Sequence, residues 1–230
     1  MKFYQKLDLE NLDKIQQEVL EYWENNPPKL EEHREVFLKL TQGDLPITCS
    51  ILNKRTLIPI NEISTCFVPA GMSTGAHMDG IKTKTDISEE RMQRWISYVS
   101  ERTNLSSRNV DDDHFFCNQW SFVIPIKDCE DSVNCWYYNE DVTDDNRWIS
   151  RNVRKEWPYE YDVCHVTNPQ ELRTQCTTVL DYPTIIKSNV YHNVDNTKNK
   201  NTRIVLVVRF IEHKDHMEAD DYFNCEGIKV

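Results

Sequence analysis

His77-Met78-Asp79 sets an imidazole and a carboxylate one residue apart. On a β-strand, side chains two positions apart leave the same face, so both groups can converge on one ion. A second imidazole, His192, follows much later in the chain. Two histidines and one carboxylate fill one face of an octahedron and leave the opposite face open, an arrangement suited to ferrous iron. Eleven residues beyond His192, Arg203 opens the run Ile204 to Phe210, apolar apart from Arg209. A guanidinium in such a strand needs an anion, because burying an unpaired charge is costly. A carboxylate held two-pronged is the natural partner. Arg209 shares the strand parity of Arg203 and is the second choice, being further from the turn.

These residues need a scaffold that brings distant segments together. Segments 57–69, 119–126, 133–138, 163–166, 176–180, 184–187 and 203–211 are rich in β-branched and aromatic residues and are punctuated by Pro, Asn, Asp or Gly. Before them, Leu12, Ile15, Val19 and Trp23 recur at helical spacing over 8–25, and Pro27-Pro28 stops that helix. Leu30, Phe37 and Leu40 predict a second short helix over about 29–40. The β texture begins near 46. One more helix is expected over 86–104, capped by Asp86 with Glu89 and carrying Met92, Trp95, Ile96 and Val99 on one face. Many short strands under a helical layer predict a mainly β, jelly-roll-type barrel in one domain. Its parts are a helical cover over 1–45, a β core over 46–211 and an acidic tail over 212–230.

With 230 residues the chain can bury one sizeable core. Its formal net charge of −11 disfavours a phosphate backbone as partner. None of the eight cysteines forms a Cys-x-x-Cys pair, which argues against a zinc ribbon and for reduced, buried thiols. No apolar run is long enough to cross a bilayer, and the first ten residues lack a signal-peptide pattern. The expected compartment is the cytoplasm, where the sequon at Asn104 would go unused.

His77-x-Asp79, a Pro183-Thr184 strand leading to His192, and Arg203 together resemble the 2-oxoglutarate/Fe(II)-dependent oxygenase superfamily. The closer likeness is to its prolyl-hydroxylase-like and aspartyl/asparaginyl-hydroxylase-like branches. The resemblance covers about 60–211. It implies a double-stranded β-helix, a cupin-like barrel with N-terminal and inserted helices packed outside. It also implies Fe(II) held by His77, Asp79 and His192, and 2-oxoglutarate clamped by Arg203. The implied activity is a dioxygenase hydroxylating a C–H bond of a peptide, amino-acid or other small polar substrate. The alternative is a non-catalytic metal- or ligand-binding cupin-like barrel. Two features depart from the family pattern. The long gap from Asp79 to His192 makes 86–104 and 139–162 look like insertions. Val205 stands where the family often has a serine, so a hydroxyl partner for the cosubstrate must come from elsewhere, with Tyr137, Tyr138 and Ser121 as candidates. Trp120, Phe122 and Trp136 are candidates to line the cavity, with core packing an equal claim.

Other groups carry less. His33 and His165 have no partners at ligand spacing. His213 and His216 stand in the acidic tail, and His114 follows an acidic triplet expected to be a solvated loop. The Asp141–Asn146 segment lacks the Gly and Glu of a calcium loop.

Overall fold

The computed structural model describes residues 2–30, 34–58, 60–79, 114–115, 119–153, 160–210, 212–213, 219 and 222–223. Two six-stranded antiparallel sheets dominate these residues. The first sheet contains β1 (Tyr4–Lys6), β2 (Val36–Leu40), β3 (Ile60–Val68), β6 (Trp120–Lys127), β11 (Thr184–Lys187) and β13 (Arg203–Phe210), in the order β1-β11-β6-β13-β3-β2. The second contains β4 (His77–Asp79), β7 (Val133–Tyr137), β8 (Arg147–Val153), β9 (Glu160–Val166), β10 (Thr174–Val179) and β12 (His192–Asp195), in the order β10-β7-β12-β4-β9-β8. A short pair joins β5 (His114–Phe115) to β14 (Glu212–His213). Eight of the strands pair in nested fashion: β3 with β13, β4 with β12, β6 with β11 and β7 with β10. Nesting of this kind carries residues far apart in sequence onto neighbouring strands.

The first sheet is buried on both faces because alternate residues serve two cores. Trp120, Phe122, Ile124, Leu206, Val208 and Phe210 pack toward the helices. Val123, Val205, Val207, Cys66 and Val68 pack inward with Trp136 of the second sheet. The helical layer is α1 (Leu12–Asn25) and α2 (Pro46–Arg55). Ile15 and Val19 of α1 and Leu52 of α2 are fully buried in that outer core. Trp23 Nε1 donates to Thr65 Oγ1 at 3.0 Å, tying α1 to the sheet. The start of α2 has no cap of its own, and the Glu18 carboxylate of α1 accepts from the backbone N–H groups of Ile47 and Thr48 at 2.8 and 2.7 Å. An anion is favourable there because the first N–H groups of a helix have no internal partner.

Helix α1 matches the sequence expectation within a few residues, and the seven strand segments expected between 57 and 211 match β3, β6, β7, β9, β10, β11 and β13 as closely, while β4, β5, β8 and β12 lie outside those segments. The short helix expected over 29–40 is instead strand β2, residues 36–40, paired with β3 from Val36↔Phe67 to Leu40↔Ile63. The β region expected from 46 opens on helix α2. The helix expected over 86–104 lies outside the described residues. In the region 139–162, β8 and β9 form an antiparallel pair that widens the second sheet beyond β4. The expected acidic tail contributes to the core, since Ala219, Tyr222 and Phe223 are buried with the helices. Among the described residues no helix is long and apolar enough to cross a membrane.

Candidate metal centre

Strand β4 is only three residues long, so its position depends on what holds its ends. Thr74 N–H donates to the Val194 carbonyl at 2.8 Å, and Val194 N–H donates to Thr74 Oγ1 at 2.8 Å. Asn196, fully buried, donates from Nδ2 to the carbonyls of Val68 and Pro69 at 3.0 and 2.8 Å and accepts from Ser132 Oγ. Gly71 adopts φ +69°, a left-handed conformation that costs glycine little, and its N–H reaches the Asn199 carbonyl at 3.2 Å. The connection from β3 to β4 is thereby zipped to β12 and the turn after it. This fixes His77 directly opposite His192 in the β4–β12 pair.

The two imidazole rings lie 4.6 Å apart, centre to centre. Each Nδ1 sits against a carbonyl two residues back, His77 on Gly75 at 2.8 Å and His192 on Val190 at 2.7 Å. A carbonyl only accepts, so Nδ1 carries the hydrogen and Nε2 keeps its lone pair. Backbone anchoring of one ring nitrogen is the usual support for a histidine that ligates through the other. Asp79, two residues beyond His77 and buried, is anchored by its N–H to the Ser188 carbonyl at 3.0 Å. Among the described residues no three His, Cys, Asp or Glu side chains form a close ready-made cluster.

One cavity between the sheets is lined by His77, Asp79, His192, Arg203 and Arg209 together. The two arginines differ in their ion pairs and not at Nε, which among the described residues is buried without a hydrogen-bond partner in both. Arg209 reaches Glu62 at 3.5 Å, and that carboxylate also takes Lys39 at 3.3 Å and Ser64 Oγ at 2.6 Å. Arg203 is 2 % exposed, and among the described residues its Nε has no hydrogen-bond partner. Asn134, also lining the cavity, has a buried Nδ2 in the same condition.

Of the three candidate hydroxyls, Ser121 lines the cavity and donates to Ser188 Oγ at 3.3 Å. Tyr137 turns to the other side of the second sheet, with its hydroxyl on Asn193 Oδ1 at 2.9 Å. Tyr138 lies under the Arg173 guanidinium, which is itself bound to Glu140 and Asp141. Trp120 and Phe122 face the helices and do not line the cavity, while Trp136 packs in the inner core. Strand parity explains this: Ser121 and Val123 point inward, so their neighbours point out.

Two residues were missed from the sequence. His165 has no partner at ligand spacing in the sequence, yet β9 places it opposite His77 with the rings 6.0 Å apart. Its Nε2 meets Ser150 Oγ at 2.9 Å, and Trp148 stacks on it at 4.2 Å. The only sequence signal for this was the strand texture around Cys164. Glu35, one residue before β2, lines the cavity with Phe37. Misreading 29–40 as a helix hid it.

Burial pushes the His192 imidazole down to about 4, with the nearby His77 acting in the same direction and Asp79 opposing. Burial also raises the Glu35 carboxyl above its usual range, while His77 and Arg203 act against this. The His192 shift has a stability consequence. An unfolded histidine takes up its proton near pH 6.5, before the folded one does. Stability from neutral His192 is therefore complete above about pH 6.5 and is lost as pH falls to about 4. Urea unfolding of the metal-free protein should show a loss of up to about 3 kcal/mol from this residue across that window. His192→Asn should flatten the pH dependence by about that amount. A variant as pH-dependent as wild type would show that His192 is not the group responsible.

Comparison with models of known protein families gives no match, and comparison with curated protein sequences gives none either.

Proposed function

We propose that the protein is an iron(II)- and 2-oxoglutarate-dependent oxygenase, with His77, Asp79 and His192 as metal ligands and Arg203 as the anchor for the cosubstrate. One observation carries this. Two histidines with bare Nε2 atoms meet across a strand pair, in one cavity with a buried carboxylate and a buried arginine whose Nε has no partner. Two imidazoles bound at right angles to one ion, with metal–nitrogen bonds of about 2.1 Å, have ring centres about 4.5 Å apart. The observed 4.6 Å fits that arrangement. Asp79, buried in the same cavity, would be the third ligand.

The barrel we infer is the double-stranded β-helix. Its support is the nested pairing of eight strands across two facing sheets, with β8 and β9 as an added hairpin and α1 and α2 as the outer cover. This architecture puts the first His and the Asp on β4 and the second His on the paired β12.

Bound iron would supply oxygen activation coupled to decarboxylation of 2-oxoglutarate, and the chain supplies placement. The Gly75 and Val190 carbonyls hold both rings in the tautomer that leaves Nε2 ready to bind metal. Arg203 would hold the far carboxylate of the cosubstrate, and Asn134 Nδ2, buried without a partner in the same lining, would be a further donor. Arg209 is already engaged by Glu62, which favours Arg203 for this task. Ser121 is the hydroxyl candidate that remains beside the cavity. The six free thiols among the described cysteines suit a reducing compartment, and we place the protein in the cytoplasm.

The test is succinate release with Fe(II), 2-oxoglutarate and a panel of peptides and amino acids. Wild type should release succinate and Asp79→Asn should not, with unchanged folding in both. Equal release by the two proteins would contradict the ligand assignment. Metal uptake without any succinate from wild type would favour the non-catalytic barrel.

A further inference from the structure

The cavity holds one carboxylate that the proposed chemistry does not use. Glu35 enters it from the segment just before β2 and lines it beside His77, Asp79 and Arg203. Among the described residues no hydrogen bond or ion pair holds its carboxylate. His77, Asp79, Arg203 and, most weakly, the exposed Arg34 act on its charge, and Glu35 in turn acts on the buried Cys66 thiol. Lys39 and Arg209 spend their charge on Glu62 and are not among them.

Charge accounting then points to what Glu35 is for. A metal dication and a doubly negative cosubstrate cancel each other. Asp79 and Arg203 cancel each other as well. Glu35 remains: the surplus cation at Glu62, which pairs with both Lys39 and Arg209, makes no ion pair with it, and only the surface Arg34 is left to offset it, in a site where an unpaired charge is expensive. The remaining component of a working site is the substrate. Resting on the oxygenase reading, we propose that Glu35 is its substrate-specificity residue and selects substrates bearing an ammonium or guanidinium group near the carbon that is oxidised. The formal net charge of −11 favours the same class, since an acidic surface concentrates cations around the cleft.

The test is calorimetric binding to protein loaded with Mn(II) and 2-oxoglutarate, which avoids turnover. The probes are matched pairs, lysine against norleucine and arginine against citrulline. Wild type should prefer the cation in at least one pair by roughly tenfold or more, and Glu35→Gln should abolish the preference. Glu35→Asp should keep part of it. Gln nearly matches Glu in shape, and equal thermal unfolding midpoints would show that the fold is unaffected. Affinity for 2-oxoglutarate should be the same in wild type and Glu35→Gln. Tighter 2-oxoglutarate binding in the variant would overturn the inference, because Glu35 would then be the resting counter-ion of Arg203. Equal binding, or no binding, of the charged and uncharged probes would also overturn it. Failure of wild type to take up Mn(II) and 2-oxoglutarate would instead defeat the underlying oxygenase reading.

Discussion

His77→Ala is expected to take up no stoichiometric divalent ion, while wild type binds about one per chain. The expectation rests on how few ligands the cavity offers. With His77 gone, only His192 and Asp79 remain of the proposed set. Loss of an outer-shell partner alone typically weakens a metal site about 10–100-fold, so losing a direct ligand should exceed that. His77 is the better histidine to remove because it is only partly buried, so its loss should leave the fold intact. His192 is 5 % exposed, and its loss would also strip the Val190 carbonyl of a donor, mixing stability with binding. Asp79→Asn completes the comparison, since it keeps the shape and removes the negative charge. Calorimetric titration with Mn(II) is the measurement. Full uptake by His77→Ala would move the metal elsewhere and remove the basis for the proposed site.

Arg203→Ala is expected to weaken 2-oxoglutarate binding by more than roughly tenfold while leaving metal uptake nearly unchanged. Truncating one partner of a charge-assisted pair costs about 2–5 kcal/mol, and each decade of affinity is about 1.4 kcal/mol. Arg203→Lys should fall between, because an ammonium keeps the charge but loses the flat two-pronged donor face. Arg209→Ala is the informative contrast. Its removal deprives buried Glu62 of one of two cationic partners, so the expected result is a stability loss of about 3 kcal/mol with cosubstrate affinity retained. Titration of 2-oxoglutarate into the metal-loaded variants, beside urea unfolding, separates the two. Reversed roles, with Arg209 controlling affinity and Arg203 controlling stability, would reassign the anchor.

Much of this site was legible in the sequence because its information is local. His77 and Asp79 announce themselves by a spacing of two, and Arg203 by being a charge at the head of an apolar strand. Both readings need only the strand period and the cost of burying charge. The strands at 120–127 and 203–210 were legible for the same reason, being dense in β-branched and aromatic residues. Side-chain direction was not. Trp120 and Phe122 looked like cavity walls, but a central strand buried on both faces shows no polar alternation to tell inside from outside. The segment around Phe37 misled differently. Leu30, Phe37 and Leu40 mimic a helical stripe, whereas the strand pairs Phe37 with Cys66 and brings Phe37 and Glu35 to the cavity. Helix α2 carries little amphipathic pattern, and its start is capped by Glu18 from another helix, a tertiary contact that no local window contains. His165 escaped notice for a related reason. Its neighbour His77 lies far off in sequence and is brought beside it only by the β4–β9 pairing.

The most direct test is calorimetric titration of 2-oxoglutarate into the wild-type protein, with and without Mn(II). A cosubstrate held jointly by a metal on His77, Asp79 and His192 and by Arg203 should bind at about one per chain, and only when the metal is present. No binding to the metal-loaded protein, or binding equally tight without metal, would contradict the account.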